Sequence, residues 1–391
     1  MSTSAESTTT AARSRIAQLD LEIADLQRSI DKRLAEREEW NEVLNSYKYP
    51  VLTLPVEITA DIFTKFLPAH PERPLLAGPD SPSLLLQVCR QWHDVALATP
   101  ELWSTMKLDL EDQRTYAHQC LVLEKWLQRS GISPLSLELV FPDGMGGTPA
   151  VAEFVQTILP HASRWREVEL CLPFVYFEQM IGPMPMLHSL KVGPTQILPP
   201  FPRPSAPPTA ICMEAPNLKE VTLSMWFNPL WIALPWSQIT TIEGAQLYVN
   251  EAMVILRNTV ALERCNLTIV GDADPTTIPT PMPLIRLPSL RSLTMLWHGR
   301  VSDNMDNLYT FFFKALSLPA LESIRVSEYL LGEEPIAALS LLRPDGHIAE
   351  IRIIHAETSE EEYSAAFPDA KLSVDAPDDE SGDGSSDEYY D

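Results

Sequence analysis

The residues best suited to chemistry are thinly spread through this 391-residue chain. Gly144-Met145-Gly146-Gly147 lies between an alternating apolar run, Leu135 to Phe141, and a helical pattern from Pro149, where a phosphate-cradling loop would open a helix. It lacks both the Gly-x-Gly-x-x-Gly spacing and a following Lys-Ser/Thr pair, so it reads as a turn. His93, His161, His188 and His298 have no carboxylate or cysteine at ligand spacing, and no Gly-x-Ser-x-Gly elbow is present. Cys89, Cys120, Cys171, Cys212 and Cys265 are odd in number and form no Cys-x-x-Cys pair. They read as small buried thiols in a reducing compartment, not as a disulfide framework or a zinc site. An Asn266-Leu267-Thr268 sequon carries no weight in a chain with no secretory signal. The expectation is a protein without a catalytic centre, metal or cofactor; an enzyme with a cryptic site is the remote alternative.

Charge narrows the partners. With 29 basic and 53 acidic side chains the formal net charge is -24, which disfavours nucleic acid and anionic membranes. No window reaches the roughly 18 to 20 apolar residues of a membrane span, so the chain reads as soluble, in the cytoplasm and/or nucleus. Residues 358–391 read as a disordered acidic tail: from Glu357 to Asp391 there are 13 acidic residues and one lysine. The 35 prolines against 14 glycines, often placed before short apolar runs, argue for many turns and short strands.

The elements that would position any site fall into an order. Residues 1–12 read as disordered, and 13–48 as an amphipathic, coiled-coil-like helix. Its seam is Ile16, Leu19, Ile23, Leu26, Ile30, Trp40, Leu44 and Tyr47, with Arg33 and Arg37 at the two intervening seam positions. Two readings stay open: a homodimer through residues 13–48, or a helix folded back on its own chain. Pro50 ends it. Residues 50–105 then read as three short helices. Leu54, Ile58, Ile62 and Phe66 recur every four residues until Pro68, a second helix starts at Ser83 and carries Leu85, Val88, Cys89 and Trp92, and Thr99-Pro100 opens a third. Cores this small seldom stabilise themselves, so some apolar surface should face a partner or the next domain.

The order Leu54-Pro55-x-Glu57-Ile58, Ile62-Phe63, Leu85, Val88-Cys89-x-x-Trp92, Leu102-Trp103 resembles the F-box, the adaptor-binding module of substrate receptors in cullin-RING ubiquitin ligases. The resemblance covers about an eighth of the chain and departs from the pattern in a Pro-rich insertion, Pro68 to Pro82. It implies that Leu54, Pro55, Glu57, Ile58, Ile62, Phe63, Leu85, Val88, Cys89, Trp92 and Trp103 build the module and its adaptor-facing surface, with Leu54 and Pro55 in direct contact.

Beyond Trp103 the chain repeats a unit of the form apolar-x-x-apolar-x-apolar. Clear copies are Trp165-Val168-Leu170, Leu187-Leu190-Val192, Leu218-Val221-Leu223, Leu290-Leu293-Met295 and Leu321-Ile324-Val326. Weaker copies are Trp103-Met106-Leu108, Ile239-Ile242-Gly244, Leu262-Cys265-Leu267 and Ile348-Ile351-Ile353, and Leu135-Leu137-Leu139 reads as a bare strand. The middle positions from Val168 to Ile351 advance by 22, 31, 21, 23, 28, 31 and 27 residues. That spacing is similar to leucine-rich repeats, without their usual asparagine. Residues 106–357 therefore read as an irregular α/β leucine-rich-repeat-like solenoid, with helices at Tyr116–Arg129, Pro149–Leu159, Asn250–Arg257, Asp306–Leu316 and Pro335–Leu342. An unrelated α/β or β-rich domain is the alternative.

The fold class is thus mixed: an N-terminal helix, an all-α F-box, an α/β solenoid and an acidic tail. Polar positions alternating with the apolar ones would line a concave substrate face: Glu169, Lys191, Thr222, Glu243, Arg264, Asn266, Thr294, Arg325 and Arg352. Its first half is more acidic and its second half carries three arginines. Trp226, Phe227, Trp231 and Trp236 form either an interface cluster or the packing of a long loop, and Ile197–Thr209 an extended Pro-rich loop. The resemblance implies a non-catalytic receptor that binds an adaptor subunit and an unknown protein substrate. A scaffold assembled through the helix and repeats, with no ligase, is the alternative.

Overall fold

Hydrophobic alternation at the repeat positions needs a sheet to bury it, and the computed structural model shows that sheet. It describes residues 2–46, 50–108, 110, 112–142, 149–195, 208–224, 227–270, 283–298, 312–343 and 346–375. The chain divides into two compact units, Met1–Asp61 and Ile62–Asp391.

Helix α1 runs from Ser2 to Ser46. It thus includes residues read above as disordered, since extending a nucleated helix costs little per residue. Its seam side chains from Ile16 to Leu44 are all between 40% and 66% exposed.

The Leu54–Trp103 segment is helical but differs in detail from the reading above. Helix α2 (Val56–Thr64) follows Pro55, whose carbonyl accepts from the Thr59 hydroxyl at 3.1 Å. It ends four residues before Pro68: Lys65 and Phe66 already donate to carbonyls three residues back, so a tighter turn unwinds it. The next helix is capped by Ser81, not Ser83, since the Ser81 hydroxyl accepts from the Ser83 N–H at 3.2 Å. It is also broken in two. Cys89 is fully extended (φ -158°) between α3 (Leu85–Val88) and α4 (Arg90–Leu97), and its Sγ accepts from the Trp92 N–H. Thr99 does not cap the last turn, Pro100–Trp103; its hydroxyl donates back to the Val95 carbonyl at 2.8 Å.

From Thr105 the chain lays down one parallel sheet of eleven strands among the described residues. These are β1 (Thr105–Lys107), β2 (Leu135–Val140), β3 (Trp165–Leu172), β4 (Ser189–Pro194), β5 (Glu220–Leu223) and β6 (Thr241–Leu247). They continue as β7 (Arg264–Ile269), β8 (Ser292–Trp297), β9 (Ser323–Ser327), β10 (Glu350–Ile354) and β11 (Lys371–Val374). Each strand pairs with its neighbours in sequence order, the arrangement of a solenoid.

The register sets the core. Met106, Leu137, Val168, Leu190, Val221, Ile242, Cys265, Leu293, Ile324, Ile351 and Leu372 form one row of Cα partners across the sheet. All but the last are buried. The weak copy at Gly244 has a physical cause: a Cβ there would lie 2.7 Å from Leu247 Cδ1 and 2.9 Å from Leu267 Cδ2, so neighbours fill the apolar position.

Helices α5 (Tyr116–Arg129), α6 (Pro149–Ile158), α7 (Val249–Asn258) and α8 (Pro335–Leu342) occur where the sequence places them. Gly131, at φ 55°, provides the left-handed residue that ends the turn after α5. Two expectations are corrected. Leu316 is not helical but begins a short strand, Leu316–Ser317, paired with Ile285–Arg286; residues 306–311 lie outside the described set. The repeat also outlasts residue 357: helix α9 (Glu360–Ala366) leads into β11, which pairs parallel with β10. Tyr363, fully buried, anchors this added unit despite the acidic composition around it. The Gly144–Gly147 turn, most of the Pro-rich stretch and residues 376–391 lie outside the described set.

Candidate functional site

The Pro-rich insertion, Pro68 to Pro82, becomes the edge of the sheet. Leu75 makes a parallel bridge to Lys107, and the Lys107 N–H donates to the Pro74 carbonyl at 2.8 Å. This places Arg73 over the face of β2 and β3. Its guanidinium reaches Glu138 Oε2 at 3.4 Å, Glu169 Oε2 at 3.6 Å and the Ser136 hydroxyl at 3.0 Å, and its side chain is only 12% exposed.

Two more cations complete the ladder: Lys107 Nζ lies 2.7 Å from Glu138 Oε1, and Lys191 Nζ 2.6 Å from Glu169 Oε1. The Glu138 carboxylate bonded to Lys107 holds its ammonium above the usual lysine range. His70 Nε2 adds a contact to Glu167 at 3.1 Å. Together these groups line a cleft of about 780 Å³ that extends to Glu220 and Thr222.

The nine face residues singled out in the sequence share one face of the sheet. Glu169, Lys191, Thr222, Glu243, Asn266, Thr294, Arg325 and Arg352 are consecutive Cα partners in one row across β3 to β10. Arg264 stands in the next row on the same face, between partners Thr241 and Ser292. Lys107 and Glu138 extend the first row and follow from the same repeat rule, one position after Met106 and Leu137. Arg73 and His70 had no sequence signal, because only the folded sheet edge brings the insertion there.

The eleven residues of the Leu54–Trp103 pattern sort by depth. Phe63, Leu85 and Trp103 are buried, and Phe63 meets Trp92 edge to face at 5.0 Å. Leu54, Cys89 and Trp92 are half-buried, and Pro55, Glu57 and Ile58 are exposed. Ile62 and Val88 are 50% and 59% exposed. The aromatic cluster is packing: Phe227 and Trp236 are buried 6.4 Å apart, and Trp231 meets Phe174 at 6.3 Å; Trp226 lies outside the described residues.

Elsewhere, burial lifts the Glu251 carboxyl to about 7, but its oxygen accepts from the Tyr248 N–H at 2.9 Å and so caps α7. Among the described residues, no three His, Cys, Asp or Glu side chains cluster as metal ligands, and no helix is long and apolar enough to cross a membrane. No protein-family model and no curated protein matches the sequence.

Proposed function

We propose that the chain is the substrate-recognition subunit of an SCF-type ubiquitin ligase, an F-box protein whose leucine-rich-repeat-like sheet holds the substrate. The observation that carries this reading is the ordered Leu54–Trp103 pattern, in which large apolar side chains at Ile62 and Val88 stay in water while Phe63, Leu85 and Trp103 are buried. Exposed aliphatic groups on short helices are the kind of surface that a bound partner would cover. The remaining chain supplies a broad polar face suited to a second partner. Function then rests on proximity: the receptor raises the effective concentration of a substrate lysine at the ligase's separate catalytic subunits.

Co-expression with a ligase adaptor subunit tests it. The complex is expected to co-purify, and Ile62→Glu or Val88→Glu should weaken it at least tenfold, the scale of a central contact of about 1.4 kcal/mol or more. Both side chains are exposed, so the variants should keep the wild-type circular dichroism and melting temperature. Failure to co-purify, or indifference to both substitutions, sinks the reading.

A second reading, self-association through α1, is favoured by its exposed heptad seam. A long helix with seven large apolar side chains in water gains most of its stability from a partner. Sedimentation should then show a dimer for residues 1–391 and a monomer for 49–391. A scaffold without ligase function would keep the dimer and fail the adaptor test.

A further inference from the structure

The polar face of the sheet changes sign along its length. Strands β1 to β6 present Glu138, Glu167, Glu169, Glu220 and Glu243, offset by Lys107, Lys191 and the overlying Arg73. Strands β7 to β11 and the residue that follows them present Arg264, Arg325, Arg352 and Lys371 against two carboxylates, Glu350, which is bonded to Lys371 at 2.8 Å, and Asp375, which is bonded to Arg352. In a chain of net charge -24, such a basic strip stands against the prevailing field.

Its internal arrangement is costly without an anion. Arg325 and Arg352 are direct Cα partners on adjacent strands, about 4.8 Å apart, and like charges in that relation repel. Arg352 is relieved by Asp375, whose Oδ2 lies 2.9 Å from Nη2 and 3.2 Å from Nε. Among the described residues Arg325 has no ion pair, and Arg264 donates only to the Thr241 hydroxyl at 3.0 Å. Asn266, Ser292, Thr294 and Ser323 lie between these guanidiniums, offering amide and hydroxyl donors in the same two rows. The Asp375 contact shows in the protein's own terms which chemistry this strip takes: a carboxylate laid across the strand face and gripped by two guanidinium nitrogens.

We propose that β7 to β10 bind an extended, carboxylate-rich segment of a partner protein across Arg264, Arg325 and Arg352, so that the recognised substrate carries an acidic stretch. This rests on the reading of the sheet face as the substrate surface. The segment runs across the strands, crossing three interstrand steps or about 14 Å between Arg264 and Arg352, a span of four to five extended residues. Nucleic acid shares the negative charge but not the carboxylate that Asp375 already sets on Arg352.

Fluorescence anisotropy of a labelled oligo-glutamate peptide with the full chain tests the proposal, with oligo-glutamine, oligo-lysine and a single-stranded oligonucleotide as comparisons. Oligo-glutamate is expected to bind best, to weaken as salt rises, and to lose at least tenfold in affinity in the Arg325→Gln, Arg352→Gln double variant. Arg291→Gln, which removes a guanidinium paired with Glu322 outside the two rows, should leave it within twofold. Equal binding of the comparison ligands, indifference to the double variant, or binding seen only in a chain ending at Asp375 overturns it; the last would mean that residues 376–391 occupy the strip. Adaptor capture of the same preparations separates the two readings: capture with no peptide binding removes only the acidic-substrate proposal, and peptide binding with no capture removes only the ligase.

Discussion

Trp103→Ala is expected to cost about 3–5 kcal/mol of stability, the range for deleting a fully buried tryptophan. Trp103 is 0% exposed and sits where the short helices give way to the sheet. Its indole N–H donates to the Ala96 carbonyl at 2.9 Å, tying it to α4. Its ring meets Trp126 of α5 edge to face at 5.2 Å, and the Arg129 guanidinium lies 4.6 Å from the ring centroid. Removing the side chain leaves a cavity bordered by both elements and strips Arg129 of its cation–π partner. Trp103→Phe separates the parts, since it keeps a ring and forfeits the hydrogen bond, and should cost about 1–2 kcal/mol. Denaturant midpoints give both numbers. A loss below about 1 kcal/mol for the alanine variant would show that the junction is not a packed joint.

That joint was legible in the sequence, because Trp103 closes the Leu54–Trp103 pattern and also opens the first weak repeat. Strand register was legible for a related reason. A strand's period of two leaves no freedom once its middle apolar residue is identified, so eight scattered polar residues could be placed in one row without knowing the intervening loops. The elements that escaped were those whose signal is not periodic. Cys89 breaks a helix whose apolar stripe runs through it unchanged, because an extended residue and its own thiol cap leave the pattern intact. The Pro68–Pro82 insertion interrupts the Leu54–Trp103 helical pattern, yet it pairs with β1 and carries Arg73 to Glu138 and Glu169; long-range pairing through one bridge leaves no trace in local composition. The last unit was hidden by charge. Three consecutive glutamates, Glu360 to Glu362, look like the start of an unfolded tail, but in the first turn of α9 they favour the helix by complementing its dipole, and Ser359 caps it by accepting from the Glu362 N–H.

Glu328→Ala should remove about 3–5 kcal/mol, and should do so at one end of the molecule only. Glu328 follows β9 and is 6% exposed. Its carboxylate accepts from the Glu357 N–H at 2.6 Å, from the Thr358 N–H at 3.2 Å and from the Thr358 hydroxyl, so one buried anion holds the chain between β10 and α9. Hydrogen bonds to a charged group contribute about 1.5–3 kcal/mol each, and deleting the acceptor also leaves part-buried N–H groups without that partner. Burial and the adjacent Glu328 charge both push the Tyr363 hydroxyl to a higher pKa, which places that ring in the same polar pocket. In a sheet whose strands contact only their neighbours, the damage should stay local. Hydrogen exchange is expected to accelerate at the Lys371 and Asp375 amides, which bond across to Ala349 and Ile353, while the Ser224 amide, bonded to Val192 in the middle of the sheet, keeps its protection. Glu328→Gln retains acceptors without the charge and should fall about midway. Uniform deprotection along the sheet would mean that the solenoid unfolds as one unit and that Glu328 supports the whole of it. Confinement to α9 and β11 would also detach Asp375 from Arg352, leaving the guanidiniums of Arg264, Arg325 and Arg352 all open to a partner's carboxylates.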